Sequence, residues 1–409
     1  MESNMIKKIK AEQLKPGFFV HDFNCRWLHH PFLADRTKIK TDKQIHKIVK
    51  QGIRELYIDT DKGLDIDDAP TQREAAEKIQ SELTQLNIPA TAAKHRSSMK
   101  DELARARLLI REAKQTTEKF MLDVKLGTRM EMNKVESTVD RMTESVLRNK
   151  DALVSLLRIK EVDEYTYVHS ISVSALCISF AQGLHFDAGQ IKQIGIGGLL
   201  HDIGKMKVPP EILNKPGRLT EKEFDIIKRH VKDGETTLEQ YTQLDQSCTC
   251  VTSHHHERLD GTGYPEGLKG DQISVFGQIA AIVDIYDALS SERCYKKALP
   301  PTEALKKLLE WSESYLNRDL VEKFIAHLGI YPIGTLVRLE NSLLAIVIDH
   351  GKKDMLHPVV RAVYDVTKHS KIEPYEIVLE GQINAGNPYD IVGCESPERW
   401  QIDPLDYLY

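Results

Sequence analysis

A histidine followed directly by an aspartate, His201-Asp202, stands where an apolar helical run ends, and this junction constrains the fold more than any other stretch. Residues 194–200 carry no charged side chain, and the chain then breaks into a loop that ends at Pro209-Pro210. The pair offers a neutral nitrogen and an anionic oxygen at one point, and the two oxygens of the carboxylate can bridge two cations. By itself such a pair proves little, because surface His-Asp pairs are commoner than metal sites.

Further candidate ligands occur in other helical segments. Asp284 and Asp287 lie three residues apart in the apolar run 279–287, which puts both on one helix face. A carboxylate there would be costly without a cation partner. Asp284 lies deeper in the run and is the better ligand candidate, whereas Asp287 is expected to support a ligand or to contact a helix. Four histidines add nitrogen ligands: His169 at the head of an apolar helix, His230 at the end of one, and His255 and His256 before a loop rich in glycine.

Composition excludes several classes of protein. The chain has 409 residues, of which 41% are apolar, and this predicts two or three domains of about 150 residues each. The net charge of −5 argues against general nucleic-acid binding, so a nucleotide would need a local basic pocket. Scattered cysteines, the lack of an apolar signal segment and the lack of a run of about 18 apolar residues predict a cytoplasmic protein without a membrane span.

The hydrophobic periodicity predicts a mainly α protein: a helical bundle around the histidine cluster, a small N-terminal α+β module and a small C-terminal antiparallel β domain. Residues 99–158 are expected to form a helical hairpin that either packs on the next domain or forms the seam of a homodimer. No element is predicted after Gly386. The predicted boundaries are 1–60 for the N-terminal module, 61–98 for a linker, 99–158 for the hairpin, 159–330 for the bundle and 331–409 for the β domain.

The order of motifs around these residues resembles the HD-GYP family, a branch of the metal-dependent HD phosphohydrolases. The match covers residues 160–330 densely, so the bundle is expected to be an HD domain. The N-terminal LKPGFFV and GIRELYID resemble a small domain of unassigned role that precedes some members. The motifs of the bundle are HDIGK, ILNKPGRLT, KRHVKDG, HHERLDGTGYPEGL and VDIYDALSSERCYKK.

The resemblance implies hydrolysis of a cyclic dinucleotide, most simply cyclic di-GMP, to linear pGpG, GMP or both, by a water activated between two metals. Lys205 would contact the scissile phosphate, and Arg293 and Lys296 would hold the other phosphate or a guanine. The loop formed by Gly263, Tyr264 and Pro265 would lie beside the site and could contact GGDEF-domain cyclases. The implied metal ligands are His169, His201, Asp202 and Asp284 for one ion, and Asp202, His230, His255 and His256 for the other.

Two positions depart from the family pattern. Members with three metals carry a glutamate one helical turn before the first histidine, where this chain has Tyr165, so two divalent ions per chain are expected. The histidine and carboxylate ligands suit iron, manganese or zinc, and nickel or cobalt could also bind. Iron and manganese rank first, because the family leans towards them. Gln278 stands where many members have arginine, and His254 is additional to the family's histidine pair.

Three alternatives stay open at this stage. The substrate could be 3′3′-cyclic GMP-AMP, because selectivity between bases depends on pocket contacts. The protein could instead be a catalytically weak cyclic-dinucleotide receptor, although neither HDIGK nor the histidine pair is lost. A third candidate is an HD hydrolase of linear nucleotides, against which the GYP stretch argues.

Overall fold

The computed structural model describes residues 5–25, 36–86, 96–159, 165–292, 298–351, 355–379 and 387–409. The side chains of residues 165 and 166 are outside this description. Helices dominate the described part, and two antiparallel sheets lie near its two ends, which confirms the predicted mainly α class.

The N-terminal module is a four-stranded antiparallel sheet covered by one helix. Its strands lie side by side in the order β1-β4-β2-β3. A separate apolar core that includes Phe18, Ile48 and Leu56 holds the helix on the sheet. The elements are β1 (Ile6–Lys10), β2 (Phe19–Asp22), β3 (Thr37–Lys38), α1 (Asp42–Lys50) and β4 (Glu55–Asp59).

The helical body contains thirteen of the described helices around one continuous core. Its long apolar helices bury residues on most of their surface, as expected for elements at the centre of a bundle. The helices are α2 (Gln72–Gln85), α3 (Met99–Lys125), α4 (Met132–Arg148), α5 (Lys150–Ile159), α6 (Tyr165–Gly183), α7 (Ala188–Leu200), α8 (Pro210–Leu213), α9 (Glu221–Lys228), α10 (His230–Leu238), α11 (Gln246–His254), α12 (Val275–Ser290), α13 (Pro301–Trp311) and α14 (Arg318–Leu328).

The segment predicted as a helical hairpin forms three helices, α3, α4 and α5, and these pack within the helical body. The apolar residues that repeat along α3 and α4, among them Phe120 and Val139, are buried within the core of this chain. Asn149 has an extended backbone between α4 and α5, and its Oδ1 accepts hydrogen bonds from the N–H groups of Asp151 and Ala152. The apolar residues that repeat along these helices are therefore buried against other helices of the same chain. A homodimer stays a prediction.

The C-terminal domain is a five-stranded antiparallel sheet in the order β8-β7-β6-β5-β9. The expectation that no element follows Gly386 is wrong, because β9 pairs with β5, with Cys394 opposite Val337. The strand β9 has only four residues and contains Gly393, so its sequence shows little β propensity. It forms because β5, more than 50 residues earlier in the chain, offers an edge with which it can pair. The elements are β5 (Leu336–Leu339), β6 (Leu343–Asp349), β7 (Val359–Asp365), β8 (Ser370–Val378), β9 (Ile391–Cys394) and the short helix α15 (Pro397–Trp400).

Across the residues described above, no helix has both the length and the apolar character needed to cross a membrane.

Candidate metal centre

The ends of several helices converge on one buried point. His201 terminates α7, Asp202 follows it, and a short 3₁₀ turn then runs from Ile203 to Lys207. Gly204 allows this turn to lie against α10, since a Cβ there would lie 1.9 Å from the carbonyl oxygen of His230. This close backbone approach brings Asp202 and His230 together, and only glycine permits it.

The structure brings the seven predicted metal-ligand side chains into two adjoining groups. Within each group one potential ligand atom from every residue lies within 4.8 Å of the others. Apart from His256, which is half-buried, these residues are buried. The first group contains His169, His201 and Asp284, and the second contains Asp202, His230, His255 and His256.

Asp202 lies between the two groups, and its two oxygens face different histidines. Its Oδ1 lies 3.3 Å from His230 Nε2 and 3.8 Å from His255 Nε2. Its Oδ2 lies 3.2 Å from His201 Nε2 and 3.7 Å from His169 Nε2. This is the arrangement expected of a carboxylate that bridges two cations.

Backbone carbonyls set the tautomers of three of the histidines. The Nδ1 atoms of His201, His230 and His255 lie 2.7–2.8 Å from the carbonyl oxygen three residues earlier in each case. Because a carbonyl can only accept, each Nδ1 carries the proton and each Nε2 presents a lone pair to the centre. Histidines that bind a metal through one ring nitrogen commonly donate a hydrogen bond from the other ring nitrogen in this way.

These lone pairs need a cation. His230 Nε2 and His255 Nε2 lie 3.4 Å apart, and in the tautomers just described neither can donate to the other. Within the described ranges, His201 Nε2 and Asp202 Oδ1 are buried without a hydrogen-bonding partner. Buried polar atoms are costly when unsatisfied, and a divalent ion coordinated by each group would satisfy them. The donor set therefore fits divalent metals.

Charge within the centre favours an ionised Asp202. Burial alone would raise its pKa, but the neighbouring His201 and Lys205 hold the pKa of this carboxyl well below its usual range. Lys205 Nζ lies 2.5 Å from Asp202 Oδ2 and keeps about a fifth of its side chain exposed. Burial holds the pKa of His255 well below its usual range, so its ring stays neutral and able to coordinate.

Asp287 orients the His169 ring through the ring nitrogen that faces away from the centre. Its Nδ1 lies 2.6 Å from Asp287 Oδ2, and its Nε2 lies 3.3 Å from Asp284 Oδ1. Because a carboxylate oxygen accepts, Nδ1 carries the proton and Nε2 faces the centre. Asp287 thus occupies the supporting position that the sequence predicts, one turn along α12 from Asp284.

The loop after the histidine pair is anchored by Glu257, which sequence reasoning missed. This buried carboxylate accepts hydrogen bonds from the N–H groups of Glu266 at 2.7 Å, Gly267 at 3.1 Å and Leu268 at 3.0 Å. Burial raises its pKa despite these donors. A Cβ on Gly263 would lie 2.4 Å from the backbone nitrogen of Arg258, so this position also needs glycine. In the sequence, the only indication of this role was that Glu257 directly follows the candidate ligands His255 and His256.

The predicted loop of Gly263, Tyr264 and Pro265 lies beside the centre. The Tyr264 ring lies 4.7 Å from the His256 ring, centroid to centroid, with 32° between the planes. The tyrosine therefore covers the half-buried histidine of the second group. Contact of this loop with GGDEF-domain cyclases stays a prediction.

Arg293 and Lys296 fall outside the described residues, as does the side chain of Tyr165. His230 was expected to end a helix but begins α10, because α9 stops at Lys228 and the chain turns at Arg229. The turn points His230 towards Asp202 instead of solvent.

One of the two departures, Gln278, and the extra histidine, His254, lie among the described residues. Gln278 joins two segments of the helical body: its Nε2 donates to the carbonyl of Ile273, and its Oε1 accepts from Asn317 Nδ2, both at 2.8 Å. His254 Nδ1 lies 3.4 Å from the N–H of Ser274 and belongs to neither ligand group.

The sequence matches two known families. Residues 129–320 match the HD domain, and residues 6–135 match a domain of unknown function, DUF3391. A cyclic di-GMP phosphodiesterase of Pseudomonas aeruginosa is 37% identical over 407 residues, which cover 99% of this chain and 96% of that protein. The chain belongs to the HD-GYP family.

Two further relatives match shorter parts of this HD-GYP chain. The 3′3′-cGAMP-specific phosphodiesterase 1 of Vibrio cholerae is 39% identical over 156 residues, 37% of this chain and 36% of that protein. A cyclic di-GMP phosphodiesterase of Thermotoga maritima is 36% identical over 164 residues, 40% of this chain and 45% of that protein. The relative from Pseudomonas aeruginosa thus extends the likeness over the N-terminal module and the C-terminal sheet as well.

Proposed function

We propose that this chain is a metal-dependent phosphodiesterase that hydrolyses the 3′–5′ phosphodiester of a cyclic dinucleotide, in the first place cyclic di-GMP. The products would be linear pGpG, GMP or both. The observation that carries the proposal is the place of Asp202 between two groups of buried ligands, with one carboxylate oxygen facing each group. A near full-length relative that bears the name cyclic di-GMP phosphodiesterase supports the choice of substrate.

The positions of the site residues support the following proposed roles. His169, His201 and Asp284 would hold one divalent ion, His230, His255 and His256 the other, and Asp202 would be shared. Two ions bound there would supply an activated water for in-line attack and would neutralise charge on the phosphate. Asp287 and the three backbone carbonyls orient the histidines.

Lys205 is proposed to donate to the scissile phosphate. Its ammonium is anchored at Asp202 Oδ2, beside both ligand groups, and remains partly exposed. An ammonium in this position can form a charge-assisted hydrogen bond to a phosphate oxygen. Arg293 and Lys296 are proposed, from the family resemblance alone, to hold the second phosphate or a guanine.

Two ions per chain, iron or manganese first, are proposed as the cofactors. The ligands are imidazoles and carboxylates without a thiolate, a set that suits these metals and zinc. The third ion of some family members would need a glutamate at the position of Tyr165.

The test is hydrolysis by the purified full chain. The protein is loaded anaerobically with Fe²⁺ or Mn²⁺ and incubated with cyclic di-GMP, and the products are separated by chromatography. We expect pGpG or GMP to appear, and to be absent after the metals are removed with a chelator. Tight binding of cyclic di-GMP without any product would instead support the receptor hypothesis.

A second candidate substrate is 3′3′-cyclic GMP-AMP, because a relative specific for it is 39% identical over 156 residues of this chain. Parallel measurement of kcat/KM for both cyclic dinucleotides decides between them. We expect the higher value for cyclic di-GMP, since the likeness to the cyclic di-GMP phosphodiesterase spans nearly the whole chain.

A further inference from the structure

A pocket lies beside the metal centre, between the N-terminal module and helices α12 and α13. It encloses about 490 Å³, including solvent at its mouth, and His255 and His256 form part of its lining. The pocket is therefore continuous with the second ligand group. Its other walls include Arg258, Ile285, Trp311 and Tyr315 from the helical body, and Asn24 and Cys25 from the N-terminal module.

The chemistry of these walls suits a planar ring with a polar edge. Trp311 and Tyr315 are aromatic and Ile285 is apolar, and nucleic-acid bases stack on such surfaces. The guanidinium of Arg258 lies 4.8 Å from the centre of the Tyr315 ring. An arginine can donate two hydrogen bonds to O6 and N7 of guanine, whereas adenine presents an amino donor at the same edge.

Another polar side chain in the lining, Glu257, is already engaged in hydrogen bonds to the backbone. Its two oxygens accept three backbone N–H groups of the following loop. Reading of a base by this carboxylate would break that anchor, whereas the guanidinium of Arg258 carries only donors and so complements the acceptors O6 and N7 of guanine.

The N-terminal wall is held in place by a buried hydrogen-bond network around Asn24. Its Nδ2 donates to Glu310 Oε1 at 2.9 Å, and its Oδ1 accepts from Lys307 Nζ at 2.9 Å and from Trp311 Nε1 at 3.2 Å. The same Glu310 oxygen accepts from the Tyr57 hydroxyl at 2.9 Å. The N-terminal module therefore fixes the indole that forms one face of the pocket.

A second attachment fixes the other aromatic wall. The backbone N–H of Arg54 donates to the Tyr315 hydroxyl at 2.8 Å, and the Arg54 side chain pairs with Asp260 Oδ2 at 2.8 Å. A Cβ on Gly52 would lie 2.5 Å from Thr262 Cβ and 3.1 Å from Arg258 Nη1, so the module lies closely against this loop. Both aromatic side chains of the pocket are thus hydrogen-bonded to the N-terminal module.

We propose that this pocket binds one guanine base of the substrate, with Arg258 donating to its O6 and N7 edge and the N-terminal module forming one wall. The identity of the ligand rests on the proposed function, whereas the pocket itself does not. The domain of unknown function would then take part in substrate recognition, through Asn24 and Arg54, without contributing a metal ligand.

The test compares two substrates in matched variants. Arg258→Met removes the guanidinium and keeps an unbranched side chain. Lys47→Met, the control, removes a charge from another contact between the two parts, the ion pair of Lys47 with Glu221 outside the pocket. The readout is the ratio of kcat/KM for cyclic di-GMP to that for bis(p-nitrophenyl) phosphate, a diester without a base, at equal metal content. We expect Arg258→Met to lower this ratio about 5- to 150-fold, the range of one bidentate arginine–guanine contact, and Lys47→Met to leave it unchanged.

A second variant approaches the pocket from the opposite wall. Cys25→Trp adds bulk from the N-terminal module without touching a metal ligand, and it is expected to lower the same ratio by raising the KM for cyclic di-GMP. If the ratio stays within twofold of wild type in both Arg258→Met and Cys25→Trp, the base subsite is overturned and the phosphodiesterase proposal stands.

Binding of guanosine separates this inference from the proposed function. Guanosine has no phosphate to bind the metals, so saturation-transfer NMR reports on the base subsite even in a protein that hydrolyses no cyclic dinucleotide. Stronger binding of guanosine than of adenosine, lost in Arg258→Met, supports the subsite. Equal signals from the two nucleosides, or from wild type and Arg258→Met, contradict it.

Discussion

Substitution of Asp287 is expected to weaken one half of the metal centre and to spare the other. Asp287 accepts the Nδ1–H of His169 at 2.6 Å and is buried with it. It contacts His169 of the first ligand group, while the second group is oriented by backbone carbonyls. Loss of a carboxylate behind a metal-bound histidine costs about 10- to 100-fold in metal affinity, or roughly 1.4–2.8 kcal/mol.

Two substitutions separate charge from hydrogen bonding at this position. Asp287→Asn keeps an oxygen that can accept from His169 but removes the charge, so its loss of affinity should lie near the lower limit, about 10-fold. Asp287→Ala also leaves a buried N–H without a partner, which adds about 1–3 kcal/mol of lost folding stability, and its affinity loss should lie near 100-fold.

The assay is Mn²⁺ titration against a competing chelator, with bound ions followed by electron paramagnetic resonance. Both Asp287 variants should weaken one binding step and leave the other within about threefold of wild type. His256→Ala is the matched control, because it removes a predicted ligand of the second group only. Equal weakening of both steps by Asp287→Ala, or no weakening of either, would refute the division into two groups.

Three further predictions follow from the same geometry. Lys205→Met should retain both ions and lower turnover of cyclic di-GMP about 30- to 1000-fold, the effect of one charge contact worth about 2–4 kcal/mol; loss of metal in this variant would contradict its role at phosphate. Asp202→Asn should lower the metal content of both groups, because an amide carries no charge and has one good donor oxygen, whereas His230→Ala should lower mainly one; elemental analysis distinguishes these outcomes. Burial lowers the pKa of His327 to about 3, and its Nε2 lies 2.7 Å from Ser179 Oγ. Since the unfolded histidine titrates near about 6.5, the free energy of unfolding should decrease as the pH falls from about 6.5 towards 3, by up to about 1.4 kcal/mol per pH unit, and urea unfolding should show a flatter pH dependence in His327→Leu.

The residues of the metal centre could be predicted because local sequence carries their signal. The seven side chains that the structure brings together stand in five short motifs. His169, His201 and Asp284 lie in or at the end of apolar helical runs, whereas the histidine pair precedes a loop rich in glycine. The same holds for Asp287, whose three-residue spacing from Asp284 determines its side of α12. Helical periodicity likewise predicts the mainly α body.

What could not be predicted depends on contacts between distant segments. His230 looks like the last residue of a helix in the sequence, and only the close approach of Gly204 shows why the chain turns before it. Glu257 acquires its role from N–H groups nine to eleven residues later, in a loop without regular structure. The hydrogen bond from Asn24 to Glu310 spans 286 residues, so no local pattern reveals the pocket between the two parts of the chain.

The most direct test of the dinuclear account is turnover of cyclic di-GMP as a function of added metal. Metal-free wild-type protein is titrated anaerobically with Mn²⁺ or Fe²⁺, and pGpG and GMP are measured by chromatography at each step. The proposed bridging role of Asp202 predicts that product formation increases until two equivalents per chain are bound and then remains constant. A plateau at one or at three equivalents, or no product at any metal content, would contradict it.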